Sequence, residues 1–207
     1  MSAPEPPPVE VDRSAVFTAL TGRTGANPSH EGTIRGMLLA AYGQRPDGNP
    51  DTTEAARRLH VTPRTVRRWL ANERAQKPAP KSTNVDRLRT SARRSESTKR
   101  GRTSALRRRR DQIQAAQAAP ARPGAAAPAP PVKAISLTGV QGPHGAGQDD
   151  YKRNRTIRLT MSSDDTDAMY AAYAQGGHQG FTTWARGRAD RYVDGWEFDN
   201  IDDLRVE

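Results

Sequence analysis

Thr62, Arg64, Thr65 and Arg68 lie within seven residues of one another. On a helix that begins at Pro63 they face outward near its N-terminal end, where a recognition helix meets base edges. An arginine there can grip guanine with two hydrogen bonds, and a threonine can touch a thymine methyl. Arg57, Arg58 and Arg67 flank this group and suit phosphate contacts, which position a protein on DNA without reading its sequence. The chemistry implied is recognition of a duplex rather than the making or breaking of bonds.

Two short helices and a turn must hold these side chains, and residues 53–70, TEAARRLHVTPRTVRRWL, have the spacing of a DNA-reading helix-turn-helix. Thr53 is read as the cap of a helix over 54–59, in which Ala55 or Ala56 lets the next helix cross closely. His60 and Val61 make the turn. Thr62 is a suitable N-cap and Pro63 a favoured first residue for a second helix that runs to about Asn72. Val66 and Leu70, four apart, form its inner face over Leu59 and Val61. Residues 31–42, with Ile34, Met37, Leu38 and Ala41 on one side and Gly43 as the stop, supply a supporting helix. A plain helical hairpin with solvated arginines has the same outline, but capping, spacing and charge agree on the DNA-reading form.

Charge points to the same partner. The chain has 33 Lys and Arg against 23 Asp and Glu, a net charge of +10. Residues 81–110 alone hold twelve basic and two acidic side chains, which equals that whole excess. Residues 51–77 add seven basic against three acidic, whereas 161–207 reverse the balance with four basic against ten acidic. A DNA-facing middle followed by an acidic, protein-facing end follows from this distribution. With no cysteine, disulfides, thiolate catalysis and cysteine-based zinc fingers are excluded. His30, His60, His144 and His178 are too scattered for a local metal pair, so neither a metal nor an intrinsic cofactor is expected. No apolar run approaches 18 residues and no secretory leader is readable, which leads us to expect a cytoplasmic, nucleoid-associated protein without a membrane partner.

At 34% apolar residues, with 16 Pro and 17 Gly, one continuous core is not expected. The fold class expected is a mainly α helix-turn-helix N-terminal domain plus a small α+β C-terminal domain, joined by a basic helical segment and a disordered Ala/Pro linker. The boundaries are a largely disordered tail over 1–30, in which residues 11–20 could form a short helix, the DNA-binding domain over 31–77, the basic segment over 78–117, the linker over 118–133 and the α+β domain over 134–207. In the basic segment Val85, Leu88, Ala92, Leu106 and Ile113 leave little to bury, so we expect extended helices, broken near Gly101 and ordered mainly by phosphates. Its densest cluster is Arg107, Arg108, Arg109 and Arg110. In the C-terminal domain, 135–138 and 156–160 alternate as strands. Ser163 or Asp164 caps a helix ending near Gln175, and Gly176 and Gly177 turn the chain. A helix over 181–193 then places Phe181, Trp184 and Tyr192 in the core, and 196–206 return as an irregular strand. The cluster at 162–167 is read as helix capping rather than a metal loop.

Taken together, the EAARRLHVTPRTVRRWL motif, the basic helical stretch, the TIRLT strand before an amphipathic helix and the closing WEFDNIDDLRVE resemble the telomere terminal proteins of actinobacterial linear chromosomes and plasmids. The resemblance covers about 31–207. It implies a protein primer, in which a side-chain hydroxyl, a threonine in the family, receives the first deoxynucleotide while a DNA polymerase fills the telomeric overhang. The protein would supply only the nucleophile, without catalytic residues of its own. A DNA polymerase and a telomere-associated protein are then the expected protein partners. Where relatives carry a hydroxyl before paired acids, this chain has Gln148 before Asp149 and Asp150. Thr138 is the remaining threonine in a comparable position, with Thr156 and Ser136 behind it and Tyr151 offering a phenol instead. The alternative class is a helix-turn-helix transcriptional regulator with a C-terminal interaction domain.

Overall fold

The computed structural model describes residues 9–29, 32–77, 82–118, 134–143 and 151–207. The start of the N-terminal tail, the prolines after Lys77, the Ala/Pro linker from residue 119 and the segment holding Gln148, Asp149 and Asp150 lie outside the described residues. Among the described residues about 58% are helical, in seven helices beside a small sheet region. Two compact units divide it, Phe17–Ala129 and a second formed by Met1–Val16 with Pro130–Glu207.

In the helical unit, α1 (Arg13–Thr21) contributes Phe17 and Leu20, both fully buried, so order begins well before residue 30. The Asp12 carboxylate accepts from the amides of Ser14 and Ala15, which starts that helix, and Gly22 at φ 65° ends it. Next come α2 (Ile34–Tyr42), α3 (Thr52–Leu59), α4 (Pro63–Arg74), α5 (Ser82–Ser97) and α6 (Lys99–Ala118). α2 packs against α3, α4 and α5 at once. Its apolar character therefore runs all round rather than along one face, with Leu39, Ala40 and Tyr42 buried besides Ile34, Met37 and Leu38, and Ala41 only half-buried.

The basic segment is not the extended, phosphate-ordered stretch that its composition suggests. Val85, Leu88 and Ala92 recur at helical spacing on α5 and are buried, on a helix that packs against α2 and α6, while α6 buries Ala105 and Leu106. The break falls at Thr98, whose hydroxyl donates to the Arg94 carbonyl at 2.7 Å and accepts from the Gly101 amide at 3.0 Å. Gly101 lies inside α6, and a Cβ there would stand 2.0 Å from the Arg94 carbonyl oxygen. It permits a close crossing of α5 and α6 rather than breaking a helix.

The α+β unit is built on β2 (Ala134–Pro143), the central strand. β3 (Arg153–Thr160) pairs antiparallel along one side, while β4 (Trp196–Phe198) and β6 (Asp203–Val206) pair along the other. Strand periodicity buries Ile135, Leu137, Gly139 and Gln141 on one face and leaves Ser136, Thr138 and Val140 on the other. Between β4 and β6, β5 (Asn200–Ile201) pairs in parallel with β1 (Glu10–Val11). Residues 10 and 11 thus belong to this unit rather than to a tail, because their strand satisfies the backbone of β5.

α7 (Ser163–Ala189) starts at a capping box, in which Ser162 and Asp165 each bond the other's backbone. Gly177, at φ 64° and ψ −144°, divides it into two arms. Met169, Tyr170 and Tyr173 are buried in the first, Phe181 and Ala185 in the second. The second arm ends at Ala189 instead of Val193. Tyr192, expected in the core, consequently falls in the following turn and is 52% exposed, and Trp184 is half-buried.

The Asp165 carboxylate also meets Arg188 at 3.2 Å and Arg191 at 3.3 Å. The Ser162 amide, the Ser162 hydroxyl and the two guanidiniums hold its pKa below the usual value against the opposing effect of burial. A depressed folded pKa contributes stability that is present above the unfolded value of about 4 and disappears as pH falls through the folded one. Asp165→Asn is expected to destabilise the unit by about 1 kcal/mol at neutral pH, with the gap from the parent closing in acid, as thermal melts at a series of pH values would show.

Candidate nucleic-acid interface

Asp51, not Thr53, starts α3, since its carboxylate accepts from the amides of Thr53 at 3.1 Å and Glu54 at 3.0 Å. An aspartate two residues earlier reaches both free amides, which the Thr53 hydroxyl cannot do from inside the first turn. Ala55, Ala56 and Leu59 are buried. His60 closes the helix in the left-handed region at φ 57°, and the Val61 amide returns to the Ala56 carbonyl at 3.0 Å.

α4 begins where capping chemistry places it. The Thr62 hydroxyl accepts from the Thr65 amide at 3.2 Å and Pro63 takes the first turn. Val66 and Trp69 form the buried side, at 0% and 5% exposure, whereas Leu70 is only half-buried. The inner face is thus turned by one residue from the Val66 and Leu70 pairing read from spacing. Thr62, Arg64, Arg67 and Arg68 are exposed on the other side, and half-buried Thr65 shares a 2.9 Å hydroxyl contact with Thr62. At the far end, the Glu73 carboxylate accepts from the backbone amides of Ile34 and Arg35 and so ties α4 to the start of α2.

A carboxylate that spacing did not single out organises the arginines of α3. Glu54 accepts from Arg57 at 2.8 and 2.9 Å, from Arg58 at 3.0 Å and from Arg108 of α6 at 3.1 Å. Burial pushes its pKa up, but the bonds from Arg58 and Arg57 and the charge of Arg108 outweigh this and hold it below the usual carboxylate range. Arg57 and Arg58 stay more than half exposed while being aimed by this group. The i,i+3 and i,i+4 pairing was available in the sequence, whereas the contact with Arg108, 54 residues away, was not.

Arg108 also donates to the Tyr42 carbonyl, so it holds α6 to α2 and α3. Two of its five N–H donors are thus engaged within the fold, and its side chain is one-third exposed. Arg109 is half-buried with its guanidinium against Gly22, where a Cβ would stand 2.7 Å away. Arg107 and Arg110 are exposed. The four-arginine cluster thus splits into two outward members and two that face the unit.

Thr138 sits in mid-β2, opposite Thr156 on β3 and Asp203 on β6. Its hydroxyl lies 2.8 Å from that of Thr156, and Ser136 bonds Glu207 at 2.6 Å. Tyr151 is 51% exposed. Among the described residues no group of three or more His, Cys, Asp or Glu could hold a metal ion, and no helix is long and apolar enough to cross a membrane. No family model, curated protein or solved structure matches the chain.

Proposed function

We propose that the chain is a DNA-binding terminal protein, which recognises the end of a linear replicon through a helix-turn-helix formed by α3 and α4 and supplies a side-chain hydroxyl to prime end-patching synthesis. The observation that carries DNA binding is α4 itself. Val66 and Trp69 fix one side in the core, and Arg64, Arg67 and Arg68 are left exposed on the other. Arg57 and Arg58, aimed by Glu54, suit the backbone on the same motif. Exposed Arg107 and Arg110 extend the positive surface. The priming role rests on the likeness of the helix-turn-helix, the TIRLT strand and the closing WEFDNIDDLRVE to terminal proteins, with a DNA polymerase and a telomere-associated protein as partners.

Binding of the full chain to labelled single-stranded, hairpin and blunt duplex ends, followed by fluorescence anisotropy through a salt titration, tests this reading. A steep fall of affinity with salt and a preference for single-stranded or folded ends are expected. Tightest binding to a dyad-symmetric duplex, with half-sites about one helical turn apart, would instead support a transcriptional regulator.

A further inference from the structure

We propose that a recess in the helical unit, beside the helix-turn-helix, seats a terminal phosphate monoester of the bound DNA, so that the protein distinguishes a phosphorylated strand end from a hydroxyl end. This deepens the DNA-binding reading above and rests on it. The recess has a volume of about 390 Å³ and lies among the end of α1, the turn after α2, the start of α3 and the middle of α6. That is room for a terminal nucleotide, not for a length of strand.

Arg23, Arg108 and Arg109 line this recess. Arg23 is 4% exposed and donates to the Ala40 carbonyl, which holds its charge in one place. Arg108 keeps three N–H donors beyond the two that meet Tyr42 and Glu54. Arg109, half-buried over Gly22, makes no hydrogen bond or ion pair with any described residue. A guanidinium drawn partly out of water without a partner is unfavourable until an anion reaches it. The walls are set beforehand, because the Gln44 amide donates to the Gly22 carbonyl at 2.8 Å and the Thr21 hydroxyl to the Phe17 carbonyl at 2.6 Å. Little ordering is then left for the binding step.

Three carboxylates line the same recess, and their commitments decide its sign. Asp51 is turned to the first amides of α3, Glu54 is shared among Arg57, Arg58 and Arg108, and Asp111 is exposed. With Arg57 and Arg58 included, five guanidiniums stand against three carboxylates, an excess of two positive charges. A terminal monoester carries about 1.5 to 2 negative charges near neutral pH, whereas an internal diester carries one. Shape separates the two as well. Arg57, Arg58, Arg64, Arg67 and Arg68 stand on exposed helix faces that a continuous backbone can run past, while a recess walled by several elements admits a group at the end of a chain. Glu54 joins the two surfaces, since it lines the recess and aims Arg57 and Arg58. A strand held by those two arginines therefore has a seat for its last phosphate close by.

The test uses the full chain and a DNA hairpin with a fluorophore in its loop and one open end, made with a 5′ phosphate, with a 3′ phosphate, or with hydroxyls at both positions. Anisotropy titrations at constant low salt should show binding about ten-fold tighter to at least one phosphorylated form than to the hydroxyl form. The form preferred gives the polarity of the strand in the recess. Arg109→Gln should bring that ratio close to one with an unchanged circular dichroism spectrum. Arg107→Gln, at an exposed position on the same helix, should weaken all three forms alike and keep the ratio. Equal binding of the three forms by the parent chain would overturn the recess and leave DNA binding standing, and this comparison holds even if a variant fails to fold. A preference that survives in folded Arg109→Gln would overturn it too. No binding to any form would retire the DNA-binding reading and the recess with it.

Discussion

Trp69→Ala is expected to destabilise the helical unit by about 3–5 kcal/mol, enough to unfold it if its stability lies in the lower part of the usual range for a small domain. The indole is 5% exposed on the inner side of α4, next in the helical pattern to fully buried Val66. Its removal leaves a cavity where α4 meets the rest of the unit, and both the lost burial and the cavity contribute. Leu70→Ala, at a half-buried position, should cost markedly less, about 1–2 kcal/mol. Urea denaturation of each full-length variant, followed by far-ultraviolet circular dichroism, measures the two costs. Equal costs would mean that the inner face of α4 is centred between the two residues rather than on Trp69.

That contrast shows where the sequence was legible. Thr62 and Pro63 fixed the start of α4 by local chemistry, since a hydroxyl cap and a pre-set φ act within one turn. Spacing could not choose between 69 and 70, because both follow Val66 at helical intervals and only the position of the neighbouring helices decides. The same limit applies to α2, whose second apolar side became intelligible once α5 was seen packed on it. Low apolar content concealed the burial of α5, for Val85, Leu88 and Ala92 suffice when the partner helix is apolar all round.

Among the candidate site residues, those outward on α4 were readable from helical geometry alone. The division within residues 107–110 was not, because a contact between Arg108 and Glu54 depends on how α6 folds back over 54 residues of sequence. Tyr192 departs from the expected core position for a smaller reason. Apolar spacing continues past Ala189, but Asp190, Asp194 and Gly195 form a turn signal that ends the helix, and Gly195 adopts φ 69° there.

The second large effect separates the arginines by what each one does. Arg64→Ala or Arg68→Ala should lose about 1–3 kcal/mol for each base contact removed, seen as a falling ratio of affinities between preferred and scrambled DNA. Arg107→Ala with Arg110→Ala should weaken every sequence alike and flatten the salt dependence by roughly one unit of slope per phosphate contact. Arg108→Ala should behave differently from its neighbours and lower the thermal midpoint, by about 1 kcal/mol in stability given its partial exposure, since it joins α6 to the Tyr42 carbonyl and Glu54. Glu54→Gln gives the sharpest sign. On charge alone, removing an acid from a DNA-binding surface should tighten binding to any sequence. If Glu54 aims Arg57 and Arg58 and anchors Arg108, its loss should weaken binding instead, several-fold for preferred and scrambled DNA together, because three guanidiniums lose their common partner. Tighter binding by Glu54→Gln would show that the arginines of α3 need no such alignment and act only as charge.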